Sequence, residues 1–337
     1  MRGFSFSASS TRRQFLAGAV ASAGTLALSG NAMGAQKKYA PHIVCNMWYW
    51  TQLFSTPFRY VSSSTHPLKS PPGQKLIQPT GGYEWSDEQW YTALSDAQWA
   101  GYRRIEMVTT TVQFRSMEFI LPLLKQYNLM IDHIYYGGGL YPKDAAEKTI
   151  AGTIEEFDRC RPLKSPECLF DSWGARSDED FKTYCRSLDR LGREAADRGM
   201  KLCLHNHENP MADNAREWWK VLRNTDPALV FICLDMDWAY QAGTDPFPLL
   251  YEAGDAGRLG AVHMRTQHDK ISDQTMEDGG DIDYHKVADY LKKIKFDGAL
   301  VEETARMQDT KVTRSARENK QLARIWCEKV FGVSARD

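Results

Sequence analysis

The sequence has no cysteine pairs, glycine-rich phosphate turns, charge excess or long apolar spans, and each absence removes a class of protein. Its cysteines, Cys45, Cys160, Cys168, Cys185, Cys203, Cys233 and Cys327, are odd in number and never spaced as CxxC. No disulfide framework is expected, and Cys45, Cys203 and Cys233 fall inside expected strands, where a reduced thiol packs as a small core residue. No GxGxxG follows the first apolar run, which argues against a dinucleotide-binding sheet. Lys and Arg number 42 against 43 Asp and Glu, for a net charge of −1, so nothing suggests a nucleic-acid partner. The small, mildly apolar stretch 17–29 is shorter than the roughly 20 residues a membrane span requires. No internal repeat beyond a strand–helix unit and no low-complexity tract follows it.

That stretch has another reading. Thr11-Arg12-Arg13-Gln14-Phe15-Leu16 precedes it and Ala32-Met33-Gly34 follows it, in the order of a twin-arginine export signal with a small-residue cleavage site. Residues 1–34 are therefore expected to be an address, and the periplasm or cell exterior of a bacterium the destination. Because this route exports folded proteins, a metal could be acquired before export.

After the signal, short apolar runs alternate with amphipathic segments. Strands are expected at 42–48, 103–108, 129–135, 167–171, 201–205, 229–235, 259–264 and 299–303. Helices are expected at 87–100, 113–127, 145–161, 178–198, 215–223, 246–252, 284–293 and 314–331. Ser86-Asp87-Glu88 and Ser177-Asp178-Glu179 supply helix starts, and Gly199 supplies a stop. Eight strands alternating with eight helices fit a parallel sheet closed into a (β/α)8 TIM barrel, a single domain over 40–333. The long connections 49–86, 266–283 and 304–313 all follow strands, on the face where barrel enzymes build their sites.

Four of these strands end in side chains that core packing does not call for. The run Lys201-Leu202-Cys203-Leu204-His205-Asn206-His207-Glu208 ends in two imidazoles and a carboxylate, and the later strands end at Asp235, His263 and Glu302-Glu303. Alternation along a strand gives His205 and His207 a shared direction, and likewise Asp235 and Asp237. If His205, Asp235, His263 and Glu303 point inward they converge on one axis. Such a mixed nitrogen and oxygen set suits Mn²⁺, Co²⁺, Zn²⁺ or Fe²⁺, with positions left open for a substrate. Any one of these residues alone could be an ordinary strand-end group or a helix cap.

The order of short motifs resembles the xylose isomerase-like barrels, in particular the sugar phosphate isomerase/epimerase group. The matching stretches are Gly101-Tyr102-Arg103-Arg104-Ile105-Glu106, Leu204 to Glu208, Leu234-Asp235-Met236-Asp237-Trp238-Ala239, Gly243-Thr244-Asp245-Pro246, Val262-His263-Met264-Arg265, Gly280 to Tyr284, and Phe296-Asp297-Gly298 leading to Glu303. The resemblance implies a divalent metal held by residues of the fifth to eighth strands, with Asp235, His263 and Glu303 on the last three. His205 stands where a Glu is usual. Spacing from Gly298 selects Glu303 and leaves Glu302 facing the helices. Trp238 replaces a His found in some members, and Arg265 replaces a frequent Lys; Arg265 would bind substrate or pair with Asp237. The aromatics Trp48, Tyr49, Trp50 and Trp238 would either stack on a sugar or pack at the core and rim.

The implied activity is a metal-assisted isomerisation or epimerisation of a sugar or keto-sugar through an enediolate. Glu303 or His207 would take the proton and Glu208 or another rim group would return it. Loss of a β-substituent would instead give a dehydratase or lyase acting on a keto-sugar, cyclitol or 3-keto-glycoside. An endonuclease-like phosphodiesterase and a non-catalytic carbohydrate-binding barrel are the remaining readings. The expected partner is a small carbohydrate, with no stable membrane span after processing, and the sequence leaves homo-oligomerisation open.

Overall fold

A computed structural model describes residues 38–54, 84–172, 177–307 and 309–336, together with Gly174 and the backbone of two short strands at 59–61 and 76–78. The signal segment and most of the connection 49–86 lie outside the described residues. Eight parallel strands close a barrel: β1 (His42–Asn46), β2 (Arg104–Val108), β3 (Met130–Gly137), β4 (Glu167–Asp171), β5 (Lys201–His205), β6 (Val230–Asp235), β7 (Leu259–Met264) and β8 (Ala299–Glu302). Each pairs with its neighbours in sequence, and β8 pairs with β1. This is the expected (β/α)8 architecture.

The helices are α1 (Trp48–Phe54), α2 (Asp87–Ala100), α3 (Thr109–Gln113), α4 (Met117–Gln126), α5 (Lys143–Cys160), α6 (Asp178–Ala196), α7 (Glu208–Asn224), α8 (Met236–Gln241), α9 (Pro246–Asp255), α10 (Tyr284–Lys293) and α11 (Ala316–Phe331). Capping boxes set three of their starts: Ser86 with Gln89, Ser177 with Asp180, and Ser315 with Glu318. Each satisfies backbone N–H groups that have no intrahelical partner and contributes about 1 kcal/mol. α2 stops at Gly101, whose φ is 95°. That conformation favours glycine, and a Cβ there would also press on the Arg324 side chain, 2.8 Å from its Nε.

Several boundaries differ from those read in the sequence. The first strand ends at Asn46 rather than at residue 48, because the Asn46 side chain accepts the Trp48 N–H at 2.7 Å and turns the chain into α1. The expected helix 113–127 starts four residues later, as α4, because Ser116 takes an extended conformation; Gln113 instead ends the short helix α3. α7 begins at Glu208, with a kink over Ala212–Ala215 where three residues have positive φ, so the expected start at 215 marks only its second part. α8 was not anticipated. It exists because Asp235 caps it, accepting the Trp238 N–H at 2.9 Å.

Small and aliphatic side chains fill the barrel interior: Val44, Leu169, Cys203, Cys233, Ala261, Ala299 and Val301. All seven cysteines are buried and free. Between β7 and β8 the backbones approach so closely that a Cβ on Gly298 would collide with the Gly260 carbonyl. Among the described residues no helix is long and apolar enough to cross a membrane.

Candidate metal centre

Two residues beyond each of Cys203, Cys233, Ala261 and Val301 the interior chemistry changes. Side chains two apart on a strand share a face, so His205, Asp235, His263 and Glu303 rise above that small-residue floor at the C-terminal mouth of the barrel. One ligand-type atom from each lies within 4.8 Å of the others. All four side chains are nearly buried: His205 2 %, Asp235 1 %, His263 1 % and Glu303 11 % exposed.

The local chain fixes each donor. Glu303 follows the last residue of β8, and its N–H donates to the Met264 carbonyl at 2.9 Å. Asp235 is held from β5: its N–H donates to Asn206 Oδ1 at 2.9 Å and its carbonyl accepts from Asn206 Nδ2 at 3.0 Å. His205 Nε2 lies 3.5 Å from Asp235 Oδ2, while its Nδ1 is 3.1 Å from the Tyr135 hydroxyl. His263 Nδ1 lies 3.1 Å from Glu303 Oε2, while its Nε2 donates to Glu106 at 3.0 Å. Each imidazole thus turns one nitrogen to the shared space and the other to a hydroxyl or carboxylate, the arrangement found behind metal-bound histidines. Two nitrogens and two carboxylate oxygens at this spacing fit a divalent transition metal, with these four residues as its holders.

Buried charge surrounds the donors. Burial pushes the His205 pKa down and the neighbouring His263 and His207 push the same way, which favours the neutral form a ligand needs. Burial also opposes a charge on His263, but Cys233 and Glu106 beside it outweigh that and raise its pKa. For Glu303 burial raises the carboxyl pKa, yet the Arg265 guanidinium and His263 hold it well below the usual range. Glu106 is likewise desolvated, and His263 and His133 bring it down to about 2.

Arg265 is only 2 % exposed and does not line the cavity. Its guanidinium pairs with Asp237 at 3.0 Å and also reaches Glu303 Oε1 at 3.2 Å and Asp235 Oδ2 at 3.4 Å. It stacks 5.0 Å from the centroid of Trp238. Of the two roles the sequence left open, the ion pair with Asp237 is formed. Glu302 faces outward to α11, where Lys320 Nζ lies 3.0 Å away.

A cavity of about 230 Å³ opens over the donors, and His207, Trp48 and Trp238 line it. The His207 side chain is 42 % exposed and its Nδ1 lies 3.0 Å from Asp171 Oδ2. Burial lowers the His207 pKa, but Asp171 outweighs it and the net shift is upward. Glu208 is the first residue of α7 and lies outside the cavity lining. Tyr49 and Trp50 are buried in the core, at 2 % and 0 % exposure.

Four further cavity residues, Asn46, Glu106, Tyr135 and Asp171, were not assigned roles from the sequence. Asp171 carried a readable signal, an acid at the end of a strand, the same one that marked Asp235. Glu106 sits within an apolar strand, and its role depends on partners from β3 and β7 that no local pattern shows.

Comparison with known proteins bears on the fold and the family. An inosose dehydratase of Clostridium perfringens is 26 % identical over 152 residues, which are 40 % of this chain and 50 % of the relative. The chain thus spans about half the length of the curated relative it matches. A D-allulose 3-epimerase from Methylomonas sp. superposes with a TM-score of 0.64 at 17 % identity, over 87 % of this chain and 98 % of that one. A 3-keto-D-glucoside 4-epimerase from E. coli does so with a TM-score of 0.57 at 16 % identity, over 71 % and 94 %. These two similarities concern the fold. The profile of the xylose isomerase-like TIM barrel family matches residues 94–326, more than half of the sequence, and the chain belongs to that family.

Proposed function

We propose that this protein is a divalent-metal-dependent isomerase or epimerase of a sugar or keto-sugar. The observation that carries the reading is the convergence of His205, Asp235, His263 and Glu303 within 4.8 Å at the barrel mouth, under a cavity that His207 also lines. A divalent ion bound there would supply Lewis acidity to a substrate carbonyl and its neighbouring hydroxyl.

The chain's own residues supply the proton chemistry. Glu303 and His207 are the two proton-transferring groups on the cavity wall, and removal of the C–H proton beside a carbonyl leaves an enediolate. Asp171 orients the His207 ring through Nδ1, and Nε2 turns toward the Tyr135 hydroxyl, 3.5 Å away, on the cavity wall. Arg265 keeps Glu303 ionised and fixed, and Trp48 and Trp238 offer apolar walls to a sugar ring. Return of the proton to the same carbon from the other face gives an epimer, and return to the adjacent carbon gives an isomer.

The similarity to inosose dehydratases favours a second reading, in which the same enediolate expels a β-hydroxyl and the enzyme is a dehydratase or lyase. We further propose that residues 1–34 direct export to the periplasm or cell exterior, where unphosphorylated sugars are the available substrates.

The test is elemental mass spectrometry of the purified protein beside an Asp235→Ala, His263→Ala variant, with solvent deuterium exchange into keto-sugars followed by NMR. A stoichiometric transition metal that the folded variant lacks, with exchange at the carbon beside the carbonyl, is expected. A folded chain that takes up no divalent ion even on reconstitution would point to a carbohydrate-binding barrel instead.

A further inference from the structure

A second cavity adjoins the first. It measures about 350 Å³, against about 230 Å³ for the inner one, and His207 and Asp171 line both. Small-molecule sites generally occupy about 300–1,000 Å³. The inner cavity alone falls short of that range, and the two together lie within it.

The lining of the outer cavity is specific in its chemistry. Tyr141 contributes an aromatic ring anchored edge-on against Tyr184, with centroids 6.2 Å apart. Asn209 and Ser172 contribute polar side chains, and Gly139 leaves bare backbone, since a Cβ there would touch only the Tyr141 carbonyl at 3.7 Å. A mixture of one aromatic face, small polar groups and accessible backbone matches the alternating apolar faces and hydroxyl edges of a pyranose. Among the described residues the acid Asp171, rather than an Arg or Lys, stands where the two cavities meet, which favours an uncharged ligand there.

Resting on the carbohydrate reading above, we propose that the outer cavity is a second sugar subsite, and that the substrate is a neutral keto-glycoside whose carbonyl-bearing ring sits over the donors while a second sugar occupies the space beside Tyr141 and Asn209. A free monosaccharide or cyclitol would leave that space to water.

Calorimetric binding to the full chain loaded with Mn²⁺ tests this, with methyl α- and β-D-glucoside, cellobiose, trehalose, sucrose and glucose 6-phosphate as probes. The expected result is that at least one disaccharide binds tenfold or more tightly than either methyl glucoside. That preference should shrink to within twofold in Tyr141→Ala and in Asn209→Ala, and persist in Tyr141→Phe. Equal binding of methyl glucosides and all disaccharides, tightest binding of glucose 6-phosphate, or a preference that survives both alanine substitutions would overturn the subsite. The first of these results, combined with deuterium exchange into keto-sugars, would remove the subsite alone. Absence of all binding and all exchange would remove the functional reading with it.

Discussion

The Nε2 of His263 donates to the Glu106 carboxylate at 3.0 Å, while Nδ1 of the same ring faces Glu303 at 3.1 Å. Glu106 comes from β2, on the far side of the sequence from β7, so the barrel closure itself sets the orientation of a metal-ligand candidate. The same carboxylate also accepts from Asn46 Nδ2 at 2.6 Å and lies 3.0 Å from His133 Nδ1.

Glu106→Gln should therefore weaken divalent-metal affinity by about 10–100-fold, the usual cost of disturbing the partner of a histidine ligand. Competition titration of Mn²⁺ against a fluorescent chelator measures it. Affinity equal to that of the wild type would show that the His263 ring is oriented without Glu106.

Asp171→Asn acts elsewhere. It removes the charge that holds His207, whose Nδ1 is 3.0 Å away, and leaves the four donors in place. Turnover should fall by about 10²-fold or more, the scale on which a positioned acid or base contributes, with metal content unchanged. A parallel loss of metal would mean that Asp171 supports the centre rather than the proton transfer.

Several of these residues were legible in the sequence and others were not, for a physical reason. His205, Asp235, His263 and Glu303 stand at strand ends, and the strand period of two together with apolar runs is a local pattern that sequence displays. Spacing from Gly298 separated Glu303 from Glu302, and the structure places Glu302 against Lys320 as that spacing required. By contrast Glu106, Asn46 and Tyr135 act through partners 27 to 157 positions away, such as Glu106 to His133 and His263, Asn46 to Glu106, and Tyr135 to His205. Nothing near them in the chain records the pairing. The short helix α8 is not legible because Asp235 is at once the last residue of a strand and the cap of the helix, with no separate start signal between them.

Below the site, His133 is enclosed by Glu106, Glu167 and Asp132 at 3.0, 3.5 and 3.4 Å. Burial lowers its pKa, but the hydrogen bonds to Glu106 and Glu167 outweigh this and raise it to about 10 from 6.5. The folded state thus binds more protons than the unfolded chain between these values. Its contribution to stability is complete below about pH 6.5 and is lost as pH rises through about 10, at up to about 1.4 kcal/mol per pH unit. Urea unfolding from pH 6 to 10 should show this decline. It should be shallower in His133→Leu, which should also cost about 3–5 kcal/mol at pH 6 by stranding buried carboxylates. Identical pH slopes in both proteins would count against the assignment.

Lys320 and Glu302 form a second buried pair, 1 % and 0 % exposed, that ties α11 to β8. Lys320→Met should destabilise the fold by about 3–5 kcal/mol, because Glu302 is left as an unpaired buried charge. Adding Glu302→Leu should recover most of that loss. Chemical denaturation of both singles and the double variant decides it, and a double variant no better than Lys320→Met would show that the pair contributes more than mutual neutralisation.

Asn206, between the two histidines of the β5 terminus, gives the centre a property of its own. By donating to the Asp235 carbonyl and accepting the Asp235 N–H, its side-chain amide imitates a peptide group and adds one more rung beyond the last residue of β5, onto the last residue of β6. His205 pairs in register with Cys233, two residues before Asp235, so the gap between His205 and Asp235 is set by the sheet and this added rung and is in place when the barrel closes. An arriving cation meets a gauge of fixed width rather than two loose arms. Ions that suit that width lose little in reorganisation, and ions that do not must strain the sheet itself.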